Sequence, residues 1–243
     1  MSLFDGLDIQ DCKQVEDRIG GGSYAKFDTT GSYDVIIKMA YATVAESGAI
    51  GVVTIFERED GATLTNTEWV TNKVKQTYYI DTKTGEKKYL AGYNSIMSLD
   101  RIVTKKDRKM PTTEKKTIKL WDRIARKETP QEKEVIVDWL NKPVTIMIHK
   151  VLKNKSAKDD TGKYVDTPEE VETIAIQHYV DAVTKKTKNE IISGAEASIY
   201  TKWNDKFKSD YVSDKRTIKD GVGTASIQND GSIKEDNPFN IEG

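Results

Sequence analysis

The sequence predicts an α+β fold that is mainly β: an antiparallel sheet with an inserted hairpin and peripheral helices. Three observations predict it. Residues 33–41 (YDVIIKMAY) place Tyr33, Val35, Ile37, Met39 and Tyr41 at a period of two, the signature of a strand. Two more runs rich in β-branched residues, 49–57 and 62–71, follow at turn-length intervals, so the three make an antiparallel meander. Residues 92–104 then switch to a helical stripe of Tyr93, Ile96, Met97, Leu99, Ile102 and Val103.

Each element has a local cause. Residues 1–31 hold Gly20, Gly21 and Gly22 and no periodicity, which predicts a flexible, acidic N-terminal segment. Residues 45–48 turn the chain after the first strand. Asp60-Gly61 closes the second hairpin, because that pair tolerates positive φ. Leu64, Asn66, Glu68 and Val70 share one face of the third strand. Thr63, Thr65, Thr67 and Trp69 share the other. The helix that follows is expected to start at Asn94 or Ser95 as cap. Pro111 marks a loop, 117–122 a strand with Trp121, and 131–140 (QEKEVIVDWL) a short helix stopped by Pro143. Residues 144–152 form a strand, 153–164 a polar loop, and 171–183 a returning strand. His149 and His178 fall on facing strands of that hairpin and are expected to be neighbours rather than metal ligands. Ile199, Trp203 and Phe207 recur four apart within 190–208, a helix with a break at Gly194. Beyond residue 212 periodicity is lost, so 212–243 is expected to be a disordered acidic tail.

The stretch 69–93 stands apart. It carries Trp69, Tyr78, Tyr79, Tyr89 and Tyr93 with five lysines, against Asp81 and Glu86. Gly85 suits a turn in 82–86, so 77–80 and 87–90 pair as a hairpin. Flat rings alternating with ammonium groups suit a single-stranded nucleic acid, since bases stack on rings and phosphates meet cations. A solvated hairpin whose tyrosines cover a core is the competing reading.

The formal net charge of −1 conceals a segregation of charge. Residues 1–17 carry −4, residues 73–127 carry sixteen Lys/Arg against six Asp/Glu, and residues 229–243 carry −3. A basic middle is the footprint of a polyanion binder, and acidic ends are interaction tails.

Much chemistry lacks a signature. No phosphate-binding G-x-x-x-x-G-K-[ST], dinucleotide G-x-G-x-x-G unit or G-x-S-x-G elbow occurs. One cysteine and two histidines are too few for a disulfide or a thiolate or histidine metal cluster. No cofactor, metal or catalytic residue is therefore expected. No apolar run long enough to span a membrane occurs and the first residues are unlike a secretory signal, so the expected place is the cytoplasm.

Several motifs together resemble a family, the phage-encoded single-stranded-DNA-binding proteins built on an OB-like barrel. They are Ser2-Leu3-Phe4-Asp5, the glycines at 20–22, the strand 33–41, Thr77-Tyr78-Tyr79-Ile80-Asp81, Lys83-Thr84-Gly85-Glu86-Lys87, Tyr89-Leu90, Gly92-Tyr93-Asn94 and Leu140-Asn141-Lys142-Pro143. The resemblance covers roughly residues 1–210. It implies an OB-like antiparallel β-barrel over 32–211 and a role in coating single-stranded DNA during phage replication and recombination, in the bacterial host cytoplasm. It also implies that an acidic tail bearing Glu235, Asp236, Pro238 and Phe239 contacts replication or recombination proteins. Here the chain continues past Phe239 to Gly243, so a pocket that grips a terminal carboxylate could not use that ring in the same way.

Candidate stacking rings are Trp69, Tyr78, Tyr79, Tyr89, Tyr93 and Trp121. Candidate phosphate contacts are Lys73, Lys75, Lys87, Lys88, Lys105, Lys106, Arg108 and Lys109. Tyr78 and Tyr79 are adjacent, so on a strand they point to opposite faces. Two other classes compete: a phage protein-interaction module or inhibitor with no nucleic-acid role, and a metal-dependent nuclease built from carboxylates near the strands.

Overall fold

The computed structural model describes residues 26–122 and 124–219, together with the backbone of 222–223. The organising element is β1 (Gly31–Val44), a long strand with a bulge between Ile37 and Met39. From Ile36 onward one edge pairs antiparallel with β2 (Ile50–Glu57), which pairs in turn with β3 (Thr63–Trp69). The predicted meander is thus present, and the Asp60-Gly61 turn closes it with Gly61 at φ 81°. After β3 comes a separate two-stranded hairpin, β4 (Tyr78–Ile80) and β5 (Lys87–Tyr89). Helix α1 (Ala91–Thr104) follows. Its cap position is Leu90, without a side-chain hydrogen bond, so neither Asn94 nor Ser95 caps it. The Leu90 amide instead donates to the Thr77 carbonyl, which makes the end of the hairpin the start of the helix.

The next element departs from the sequence expectation. Residues 131–140 do not form a helix. Strands β6 (Glu114–Asp122) and β7 (Lys127–Val135) make an unbroken nine-pair ladder, and only Val137–Trp139 winds into a single 3-10 turn. The segment QEKEVIVDWL and the residues just before it divide between two environments. Thr129, Gln131 and Lys133 alternate as the half-buried face of a hairpin, while Val135, Ile136 and Trp139 drop into the core. The cross-strand partner β6 satisfies the backbone groups along the facing edge of β7 without disturbing that burial.

Strand β8 (Pro143–Lys158) pairs with the other edge of β1, from Gly31↔Ile148 to Ile36↔Pro143, and β9 (Tyr164–Val180) returns along it. The sheet order is therefore β9-β8-β1-β2-β3. The polar stretch expected as a loop at 153–164 is mostly ladder. Lys153 pairs with Val171 and Lys158 with Tyr164, with a register shift between Asn154 and Ser156 and a turn at 159–163. Its polar composition reflects a mostly solvated hairpin, within which Asn154 alone is buried. Helices α2 (Lys188–Ser193) and α3 (Ser198–Lys206) are separated at Gly194, whose φ of 72° ends α2. The domain does not stop at 211. β10 (Val212–Asp214) adds parallel to β8 beyond the point where β1 begins, and β11 (Ile218–Lys219) pairs with β12 (Val222–Gly223). Residues 1–25 and the tail positions Glu235, Asp236, Pro238 and Phe239 lie outside the described residues.

The core lies between this sheet and α1. Ile37, Phe56, Leu99, Ile102, Trp139 and Ile146 are among its fully enclosed side chains, each worth about 1.5–3 kcal/mol of burial. α1 bridges the two ends of the sheet, touching both β3 and β9. Among the described residues no ladder joins β3 to β9, so the backbone hydrogen bonds do not close a barrel. Side chains meet there instead. Phe56 and Tyr179 lie 6.0 Å apart, and Asn66 Nδ2 donates to the Tyr179 hydroxyl at 3.3 Å. No helix among the described residues is long and apolar enough to cross a membrane.

Candidate nucleic-acid interface

The β4–β5 hairpin is built from its turn outward. Asp81 Oδ1 accepts hydrogen bonds from the Lys83 and Thr84 amides at 2.8 and 3.2 Å, and Gly85 takes φ 72°. That local turn pins the register: Tyr78 faces Tyr89, Tyr79 faces Lys88, and Ile80 faces Lys87. Alternation then sorts the side chains. Tyr78, Ile80, Lys87 and Tyr89 share one face, while Tyr79 and Lys88 share the other. Lys87 Nζ sits 4.7 Å from the centroid of the Tyr78 ring, a cation over a π face.

α1 completes the first face. Tyr93, one turn into the helix, places its ring 4.7 Å from that of Tyr89 with the planes 32° apart. Its hydroxyl donates to the Lys109 carbonyl at 2.9 Å. The helix is held close to β3: a Cβ at Gly92 would come within 2.3 Å of the Trp69 carbonyl oxygen. Trp69 itself lies over Gly51, where a Cβ would meet its ring at 2.8 Å, so that ring is half-buried against the sheet. On the exposed side, Tyr89 is 57% and Ile80 60% accessible. Tyr89 and Tyr93 thus meet at the start of α1, and Tyr78, Ile80 and Lys87 continue the same face of the hairpin. Ile80 was not among the sequence candidates, because an aliphatic residue after the tyrosine pair carries no binding signature of its own.

The cations divide into two groups. Lys73, Lys75, Lys87 and Lys109 are exposed. Lys75 takes φ 61° in a turn held by Asn72 Oδ1, which accepts from the Val74 and Gln76 amides. Four others are paired with carboxylates, and of these Lys88, Lys105 and Lys106 are also exposed. Lys88 pairs with Asp81, Lys105 with Asp181, Lys106 with Asp138, and Arg108 with both Asp100 and Asp138. The hydrogen bond from Lys88, with those from the turn amides, holds Asp81 down at about 2. The side chain of Arg108 is only 16% exposed. It is turned into the protein, away from the position a phosphate contact needs. Asp100 was the readable warning, since it falls inside the apolar stripe of α1 between Ile96 and Val103. Trp121 sits near the turn end of the β6–β7 hairpin, 63% exposed, on a different hairpin from the rings above.

His178 pairs with Met147 and His149 with Ala175, across a register shift in the β8–β9 ladder. Among the described residues no group of three or more His, Cys, Asp or Glu side chains is arranged to hold a metal ion. No known protein-family model matches the chain, and no curated protein matches it.

Proposed function

We propose that this chain binds single-stranded DNA without sequence preference and without catalysis. One observation carries the reading: the hairpin face of Tyr78, Ile80, Lys87 and Tyr89, on which Ile80, Lys87 and Tyr89 are exposed and Tyr78 is half-buried, extended by the half-buried Tyr93. Rings of this kind accept any base, since every base has a π face, and Lys73, Lys75, Lys87 and Lys109 supply charge for the backbone. The element order supports an OB-like core. A three-strand meander (β1–β3), a helix across the end of the sheet, and a returning pair (β8 and β9) follow the OB sequence of elements, with β4–β5 and β6–β7 as insertions. On this reading the protein coats single strands during phage replication and recombination in the bacterial cytoplasm. Its acidic residues Glu235 and Asp236, with Pro238 and Phe239, contact replication or recombination proteins.

The test is titration with oligo-dT while following tryptophan emission, with duplex of equal length as control. The expected result is quenching by the single strand, weakened by salt with a log–log slope of about −0.7 per neutralised phosphate. No binding at low salt, or equal affinity for duplex, overturns the proposal. A protein partner retained after nuclease treatment would point to an interaction module instead.

A further inference from the structure

We infer that Asp100 and Arg108 form a clamp that positions the aromatic platform, so that Arg108 acts on DNA through Tyr93 and not by touching a phosphate. The inference rests on the single-strand-binding reading above. Asp100 is fully buried on α1. Its Oδ1 accepts from Trp139 Nε1 at 2.7 Å and from Arg108 Nη2 at 2.6 Å, and its Oδ2 accepts from Arg108 Nε at 2.8 Å. This is the two-pronged arginine–carboxylate geometry. Arg108 Nη1 is spent as well, on Asp138 Oδ2 at 3.0 Å and Thr112 Oγ1 at 3.2 Å. All three nitrogens of the guanidinium are therefore committed to the protein. Turning Arg108 out to a phosphate would leave the Asp100 charge buried and without its cation, a change that costs several kcal/mol in proteins.

The clamp has a consequence one residue further on. Holding Arg108 places the Lys109 carbonyl where the Tyr93 hydroxyl reaches it at 2.9 Å. Tyr93 lies on α1 two turns before Asp100, so the irregular stretch after α1 is tied back to the same helix at two points. With its hydroxyl fixed, the Tyr93 ring keeps its 4.7 Å contact with Tyr89. A ring held in place before binding loses less freedom when a base stacks on it. The rest of that stretch, Lys106, Asp107, Lys109 and Met110, is exposed and has no comparable anchor in the core. Asp100 and Arg108 are positioning residues, and Tyr93 is the group they position.

The two roles for Arg108 predict opposite signs. If Arg108 contacted phosphate, Asp100→Asn would remove a competing negative charge and tighten binding, and Arg108→Ala would flatten the salt slope. On the clamp reading, Asp100→Asn and Arg108→Ala each weaken oligo-dT binding about tenfold, as expected when one stacked base worth ~1–3 kcal/mol is compromised. The salt slope keeps its wild-type value in both. Tyr93→Phe removes only a hydroxyl and leaves the buried network intact, so it carries the test even where Asp100→Asn unfolds. It weakens binding about fivefold, the value of one hydrogen bond near 1 kcal/mol, again with an unchanged slope. Wild-type affinity in Tyr93→Phe, or a shallower slope in Arg108→Ala, overturns the clamp while wild-type binding stands. Failure of the wild type itself to bind overturns the functional reading first.

Discussion

His149 on β8 stacks against Trp203 on α3, with ring centroids 5.2 Å apart and planes at 17°. Phe207 and Tyr211 approach the same imidazole at 4.4 and 4.8 Å. These rings fasten α3 and the segment leading into β10 to the sheet. Burial lowers the His149 pKa below its usual 6.5, and the charges of His178, Lys215 and Lys206 lower it further. Burial lowers His178 as well, against an opposing pull from Glu190. Protons therefore bind the unfolded chain more readily than the folded one. The neutral form carries the stability, which is fully present above the unfolded value of about 6.5 and is lost as pH falls through it toward the folded pKa. Thermal unfolding midpoints should drop as the pH falls below about 6.5, and His149→Phe should flatten that drop. An equally steep decline in His149→Phe would refute the assignment.

The hairpin register separates its two adjacent tyrosines. Tyr89→Ala should weaken oligo-dT binding by ~1–3 kcal/mol, about five- to 150-fold, because its ring lies on the face shared with Tyr78 and Tyr93. Tyr79→Ala, on the opposite face, should stay within about twofold of wild type, which is below one stacked base. Fluorescence anisotropy with labelled dT measures both. A larger loss for Tyr79 would mean that DNA lies on the Lys88 side.

Asp81 serves two purposes, closing the turn and neutralising Lys88. Asp81→Asn keeps an oxygen for the Lys83 and Thr84 amides but releases the ammonium group. Binding at low salt should tighten, and the slope should steepen by about 0.7 if the freed Lys88 meets one phosphate. An unchanged slope would place Lys88 away from the backbone path.

The C-terminal strands depend on one buried amide. Asn154 Oδ1 accepts from the Thr217 and Ile218 amides at 2.8 and 2.9 Å, and its Nδ2 donates to the Ile218 carbonyl at 3.1 Å. Asn154→Ala would strand those groups at a cost of about 1–3 kcal/mol. Limited proteolysis should then cut near 215–219 faster than in wild type, and equal rates would show that β10 alone secures the segment.

What the sequence determined by itself is the local order. Alternation in 33–41 and 49–57, Asp60-Gly61, Gly85 and the helical stripe after Gly92 depend on neighbours a few residues away, and each appears where its pattern placed it. The aromatic hairpin was equally legible, since its turn chemistry lies within 81–86. Tertiary structure alone decided the rest. β7 is a strand because β6 lies beside it, and residues 212–214 are ordered because β8 offers them an edge. Arg108 is not a free cation, because Asp100 on α1 and Asp138 beyond β7 converge on it, while Trp139 donates to Asp100 and holds that carboxylate in place. Charge read along the chain counts each cation as available. Folding pairs charges across long sequence separations, and in a low-dielectric interior that pairing settles which cations remain to meet a ligand.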